Sequence, residues 1–318
     1  MTYDELSTLL KYDEEHENHI YIPNEIFAIL HNNIPKDVHI PFVYSYYYLI
    51  CWLYRYAKYG SIYNLDNKQI KSILGYNPDT KGLDYLTKKN GLMDSVNLTI
   101  TEKDFPCAWE YSHEEGLSFT YLSDFDEDTQ NMIKQQLNKK FTIKYPIKSF
   151  FRYDESEEIP EGYDESDSGT FFDFSNTHNV PFDIFLFCMS MKDIGCTGFY
   201  LYSYFKMMNQ LYPEGFNISR EQMVEEIKLP HTTLERYLSR LRKYRMIDVR
   251  LNQDYFVLGL DEDERKSNTY ITNDYIKFTH KAIVYDKMKT MTRYEYHQLK
   301  KQQDTETTWG ESLDNLPY

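Results

Sequence analysis

Residues 219–250 read SREQMVEEIKLPHTTLERYLSRLRKYRMIDVR, and the fold expected of this chain follows from them. Gln222 stands three residues after Ser219, the spacing at which two side chains reciprocally satisfy the free amides of a helix start. Met223, Val224 and Ile227 give that helix an apolar side, and Pro230 cannot continue its hydrogen-bond ladder. Thr232 and Glu235 repeat the capping spacing. Leu234, Tyr237, Leu238 and Leu241 then recur at helical period as one buried stripe, with Arg236, Arg240 and Lys243 on the opposite side. Two helices around a proline-broken turn, the second apolar on one side and basic on the other, are what a helix-turn-helix requires. Beyond them Ile247, Val249 and Leu251 alternate, Asn252-Gln253-Asp254 turns, and Tyr255 and Val257 alternate back. That pattern predicts a β-hairpin, the wing.

Charge singles out the same stretch. Between residues 228 and 250 the basic residues are Lys228, Arg236, Arg240, Arg242, Lys243, Arg245 and Arg250, against Glu235 and Asp248 alone. The segment is +5 in a chain of −15. Phosphate contacts need Lys and Arg, so where the charge sits decides more than its total. The acidic residues collect in Asp154, Glu155, Glu157, Glu158, Glu161, Asp164, Glu165 and Asp167. This run reads first as a solvated linker, and second as a mimic of nucleic acid or a docking loop for a basic partner.

An earlier stretch has the same grammar. Asp66 is placed to cap a helix with Gln69 three residues on, and Ile70, Ile73 and Leu74 form its apolar side. Gly75-Tyr76-Asn77-Pro78 is a turn. Asp79 or Thr80 would cap a second helix that buries Leu83 and Leu86 and stops at Asn90-Gly91. Met93 to Thr101 alternates as a half-buried strand would. The order apolar helix, two short helices and alternating strand thus recurs after about 150 residues, a weak internal duplication.

Residues 65–93, LDNKQIKSILGYNPDTKGLDYLTKKNGLM, set between an apolar helix and a strand, resemble the winged-helix replication initiators of plasmids and phages of low-GC Gram-positive bacteria. Residues 218–249 resemble a generic winged-helix module. The resemblance covers about half of the chain. It implies that both winged helices bind repeated origin sites.

The expected fold class is α+β, mainly α with small β-hairpins. Residues 1–105 are expected to form one winged-helix domain and 181–262 a second. Residues 106–180 would be a linker with a polar helix at 124–140 and an acidic loop at 152–169, and 263–318 a C-terminal helix with a flexible tail. The four cysteines are scattered without C-x-x-C spacing, which predicts neither a disulfide framework nor a zinc site and fits a reducing compartment. The N-terminus lacks the basic-then-apolar order of a secretory signal, and Ile40 to Leu53 is too short to span a bilayer, so a cytoplasmic protein without membrane partners is expected.

No phosphate-binding glycine loop, H-E-x-x-H or G-x-S-x-G is present, so neither enzyme activity nor a cofactor nor a metal is expected. The runs Tyr44-Ser45-Tyr46-Tyr47-Tyr48 and Phe199 to Phe205 read as core rather than as stacking platforms for single strands.

The expected function is sequence-specific binding of double-stranded DNA. His231, Thr232, Thr233 and Arg236 would lie nearest base edges, with Ser239 beside them. Arg240, Lys243 and Arg250 would take phosphates, and Asn252 and Gln253 would form the wing tip. Lys81, Lys88 and Lys89 would add affinity from the first unit, and the Tyr-rich helices would build a homodimer. The alternative is a tandem winged-helix interaction subunit, like the small accessory subunits of chromosome-condensing complexes, which the acidity favours.

Overall fold

The structure is a computed structural model that describes residues 1–62, 65–114, 116–152, 168–261, 264–285 and 288–302. The acidic run at 154–167 and the tail after Gln303 lie outside the described residues. Helices outweigh strands, and the strands form small sheets of two or three, an α+β mix. Among the described residues no helix is long and apolar enough to cross a membrane.

The core is built around two aromatic helices, Ile40–Arg55 and Gly195–Leu211, which pack against each other. The first buries every residue from Ile40 to Tyr54, as a helix apolar on all sides must. A hydroxyl that tyrosine carries into such a core usually finds a partner, those of Tyr47 and Tyr59 being exceptions here. Tyr48 donates to the Val180 carbonyl at 2.6 Å, Tyr200 to the Ile227 carbonyl at 3.0 Å and Tyr202 to the Asn273 carbonyl at 2.8 Å. One continuous apolar cluster runs from Leu6 to Tyr270 and takes in the aromatic residues of both helices.

A local pseudo-two-fold relates residues 18–46 to residues 176–204. Strand Tyr21–Pro23 leads into helix Ile26–Asn33 and then Ile40–Arg55. Strand Thr177–Asn179 leads into Phe182–Ser190 and then Gly195–Leu211. The two strands pair antiparallel, with Tyr21 opposite Asn179, Ile22 opposite His178 and Pro23 opposite Thr177. A shift of 158 residues carries Tyr21 onto its own partner, so this pair sits on the axis. The same shift carries Asn18 to Asn176, Pro23 to Pro181, Ile26 to Ile184, Phe27 to Phe185, and Tyr44-Ser45-Tyr46 to Tyr202-Ser203-Tyr204. Hydrogen bonds obey it too. Asn24 N donates to Asn176 O at 3.0 Å, and its equivalent Phe182 N donates to Asn18 O at 2.9 Å. Ser45 Oγ donates to Pro41 O and Ser203 Oγ to Phe199 O, both at 2.8 Å.

Residues 106–180, expected to be a linker, are largely structured. The first half continues through helix Asn67–Ile73 to strand Thr99–Glu102, which pairs antiparallel with Ile143–Pro146. Between those two strands lie the hairpin Pro106–Ser112/Gly116–Tyr121 and helix Glu127–Gln136. The strand expected from Met93 begins only at Thr99, because Leu92–Ser95 is a helical turn.

In the second half strand Phe216–Ile218, helices Arg220–Ile227 and His231–Lys243, and strand Ile247–Arg250 follow in turn. The three-stranded sheet closes with Asn268–Thr272 in its middle, antiparallel to both neighbours. The hairpin expected to return at Tyr255 is therefore corrected. Tyr270 in the middle strand is 1% exposed and packs its ring on Phe205 and Phe216. Burying an aromatic ring of that size against the core favours Asn268–Thr272 in this position. Tyr255–Leu258 instead pairs in parallel with Lys289–Thr292, where Val257, Leu260 and Tyr296 form a small core of their own. Of the C-terminal helix expected within 263–318, the described residues show helix from 293 to 302, after strands Asn268–Thr272 and Lys289–Thr292.

Candidate nucleic-acid interface

Helix His231–Lys243 is positioned by three devices. Leu234, Leu238 and Leu241 bury its inner stripe. Glu235 pairs with Arg220 Nε at 2.7 Å, tying it to the preceding helix. Helix Gly195–Leu211 packs against it, with Gly198 beside the Tyr237 ring. The Ser219–Gln222 capping box forms as its spacing predicts. The Thr232–Glu235 box does not, because the helix already starts at His231 behind Pro230 and Glu235 is engaged with Arg220.

The outward face presents His231, Thr232, Arg236 and Lys243, all exposed, flanked by half-buried Thr233, Ser239 and Arg240. Arg236 and Arg240 both lie against the Tyr237 ring, at 5.3 and 5.0 Å from its centre, which spaces two like charges along the face. Asp193 approaches Arg240 at 3.8 Å, a long and solvated contact that leaves most of its charge available.

One flank is covered by a segment that sequence reading missed. Tyr285 donates to Ser239 Oγ at 2.9 Å, and the Arg242 guanidinium lies 4.0 Å from the Tyr285 ring centre. Thr279 N and Ile283 N donate to the carbonyls of Tyr244 and Lys243 at 3.0 and 2.9 Å, satisfying acceptors that a helix end leaves open. The Ser239 hydroxyl is thus engaged within the chain. No local signal marks this, because Tyr285 is remote in sequence and has no pattern around it.

Arg250 is exposed at the end of its strand, opposite Thr269. Asn252 and Gln253 are not a free tip. Asn252 Nδ2 donates to Ser267 O at 2.8 Å and Thr269 Oγ1 at 2.9 Å, and Gln253 Oε1 accepts from Lys266 N at 3.3 Å. They brace the root of a longer excursion, whose far part Arg293 and His297 hold through Asp261 and Glu264.

In the first half Asp66 caps its helix through Lys68 N and Gln69 N, as expected. The second helix is broken into a 3-10 turn, Lys81–Leu83, and the four residues Asp84–Thr87. Thr80 makes no cap with its side chain. Its carbonyl is taken at 2.8 Å by the buried Lys71 ammonium, which also pairs with Asp84. Lys81, Lys88 and Lys89 are exposed but do not share one helical face. Below them Lys144 joins Asp94 Oδ1 at 2.5 Å, Thr101 Oγ1 at 2.8 Å and Lys88 O at 3.2 Å, and burial lowers its pKa.

Burial pushes the Cys51 and Cys196 thiols up to about 12 and Cys107 to about 11, which keeps them protonated at neutral pH. Among the described residues no three His, Cys, Asp or Glu side chains converge as metal ligands would. No family model, curated protein or solved structure matches the chain.

Proposed function

We propose that the protein binds double-stranded DNA through two winged-helix units and serves as a replication initiator or regulator of a plasmid or phage. The second unit spans 195–272, with helix His231–Lys243 in the major groove. The observation that carries this is the outward face of that helix. Arg236, Arg240 and Lys243 stand together on a well-packed element, in a chain whose net charge is −15. The sheet order, with the last strand between the first and the second, is the arrangement that follows a helix-turn-helix in a winged helix. His231, Thr232, Thr233 and Arg236 face base edges, while Arg240, Lys243 and Arg250 take phosphates. The aromatic core serves to hold the units in place.

The test is binding of the purified protein to duplex DNA from its own locus across a salt series, with unrelated competitor. Specific binding that weakens steeply with salt supports the reading. Arg236→Glu with Arg240→Glu should abolish it without unfolding the protein, and unchanged affinity in that variant would overturn it. The second reading, a protein-interaction subunit, is favoured by the acidity and by the broken helix at 81–87, and it predicts no DNA binding even at low salt.

A further inference from the structure

We infer that the first half carries a small anion site, a cavity beside Lys89 that takes a phosphate group end-on, as free phosphate or as a phosphate monoester.

The cavity has a volume of about 30 Å³. It lies between helix Asn67–Ile73, the chain around Thr87 and Lys89, and the strand pair Thr99–Glu102/Ile143–Pro146. Tyr59, Asn67, Thr87, Lys89, Thr142 and Lys144 supply most of its polar lining. A space of this size holds about two water-sized groups, which suits the projecting oxygens of an oxyanion.

Hydrogen bonding around this space is unbalanced in one direction. The Tyr59 side chain is 1% exposed, and its hydroxyl has no partner. A buried hydroxyl is rarely left so, and this orphan points to a group that occupies the cavity. Lys89 is exposed on the open side and pairs with no carboxylate among the described residues.

The nearby acceptors, by contrast, are already taken. Asp94 Oδ1 accepts from Thr99 at 2.6 Å and from Lys144 at 2.5 Å. Its Oδ2 accepts from Thr101 at 2.8 Å and from Asn90 N at 2.9 Å. Asn67 Oδ1 accepts from Tyr46 at 2.6 Å, and the Thr87 carbonyl accepts from Asn67 Nδ2 at 3.3 Å. Lys144 also donates to Thr101 Oγ1 and the Lys88 carbonyl, so its three N–H groups are spent and its charge is matched by Asp94. The unmatched charge of the lining is therefore that of Lys89.

This census selects the ligand. A divalent cation needs several free oxygens, and those here are engaged. Water would satisfy Tyr59 but bring further donors to a wall whose acceptors are occupied. An anion brings acceptors alone, and it meets the Lys89 charge. The Tyr59 hydroxyl lies at depth, so it is reached by a group whose oxygens project freely. Phosphate and its monoesters present such oxygens. A nucleic-acid diester carries chain on both sides and is held off.

The test is calorimetric titration of full-length protein with inorganic phosphate, methyl phosphate and dimethyl phosphate, in chloride buffer of constant ionic strength. Phosphate, methyl phosphate or both should bind at a single site, and which of them binds separates a free-phosphate site from a monoester site. Dimethyl phosphate should not compete. Tyr59→Phe and Lys89→Gln should each weaken binding by about tenfold. In phosphate-free buffer Tyr59→Phe should melt no lower than wild type, because it removes a hydroxyl without a partner. Phosphate should then raise the wild-type melting temperature more than the variant's. The assignment is overturned if neither phosphate nor methyl phosphate binds, if the diester binds equally well, or if both variants keep full affinity. A Tyr59→Phe variant that is less stable without phosphate would also overturn it, since water would then already satisfy the hydroxyl.

Discussion

The Tyr285 hydroxyl donates to Ser239 Oγ at 2.9 Å, and the same ring lies 4.0 Å from the Arg242 guanidinium, so residues 46 apart in sequence lock one flank of the basic helix. The contact fixes that flank in place and leaves Arg236 and Lys243 exposed. A neutral hydrogen bond of this kind contributes about 0.5–1.5 kcal/mol. Tyr285→Phe and Ser239→Ala should each lower stability by about 1 kcal/mol, and the double variant should cost less than their sum. Chemical denaturation of the four proteins measures the coupling, and strict additivity would mean that the contact contributes nothing.

Asp193 lies 3.8 Å from Arg240 and also accepts from the Tyr244 hydroxyl at 3.1 Å. If Arg240 takes a phosphate, the nearby carboxylate opposes it. Asp193→Asn removes that charge and keeps an acceptor for Tyr244. DNA affinity should rise severalfold at low salt, with the gain shrinking as salt screens the pair. A variant no tighter than wild type at any ionic strength would place Arg240 away from the phosphates.

Sequence made much of helices Asn67–Ile73, Arg220–Ile227 and His231–Lys243 legible because their signals are local. Ser219, Gln222, Asp66, Pro230 and the stripe Leu234-Leu238-Leu241 all act within a turn or two, and they sit where their chemistry requires. The strand pairing after Arg250 was misread because Tyr255–Leu258 and Asn268–Thr272 both alternate, and it is Asn268–Thr272, with Tyr270 buried against Phe205, that pairs with Ile247–Arg250. The break at Lys81–Thr87 depends on Lys71 reaching the Thr80 carbonyl from the preceding helix, a contact that no periodicity announces. The duplication was visible only as an order of elements. Its residue-level match becomes evident once Tyr21 is seen opposite Asn179.

Asp183 is a buried carboxylate that accepts from two tyrosines and an asparagine, among which no cation is found. Replacing it by alanine strands three donors at once, each costing about 1–3 kcal/mol when left unsatisfied and somewhat less where water can enter. Asp183→Ala should therefore destabilise the protein by about 3 kcal/mol or more. Asp183→Asn, which retains one oxygen acceptor, should cost about half as much. Thermal melts rank the two, and equal losses would show that the acceptor oxygens are not what holds residues 3–18 in place.

His178 has no exposed surface and lies between Tyr44, at 2.7 Å from Nε2, and Asn24 Oδ1, at 3.0 Å from Nδ1. Burial lowers its pKa to about 3, and burial together with Lys228 lowers that of His31 to about 4. Both are neutral when folded, and each would bind a proton near pH 6.5 once unfolded. Between those limits the unfolded chain holds more protons, so stability falls as pH drops. It is fully present above about pH 6.5 and declines by up to about 1.4 kcal/mol per histidine for each pH unit below that, until the folded-state pKa is reached. His178→Gln can accept from Tyr44 or donate to Asn24 without titrating. It should be less stable than wild type at pH 7.5 and close much of that gap by pH 5. Urea midpoints of the two proteins at both pH values measure the gap, and a constant difference would mean that His178 does not resist protonation in the folded protein.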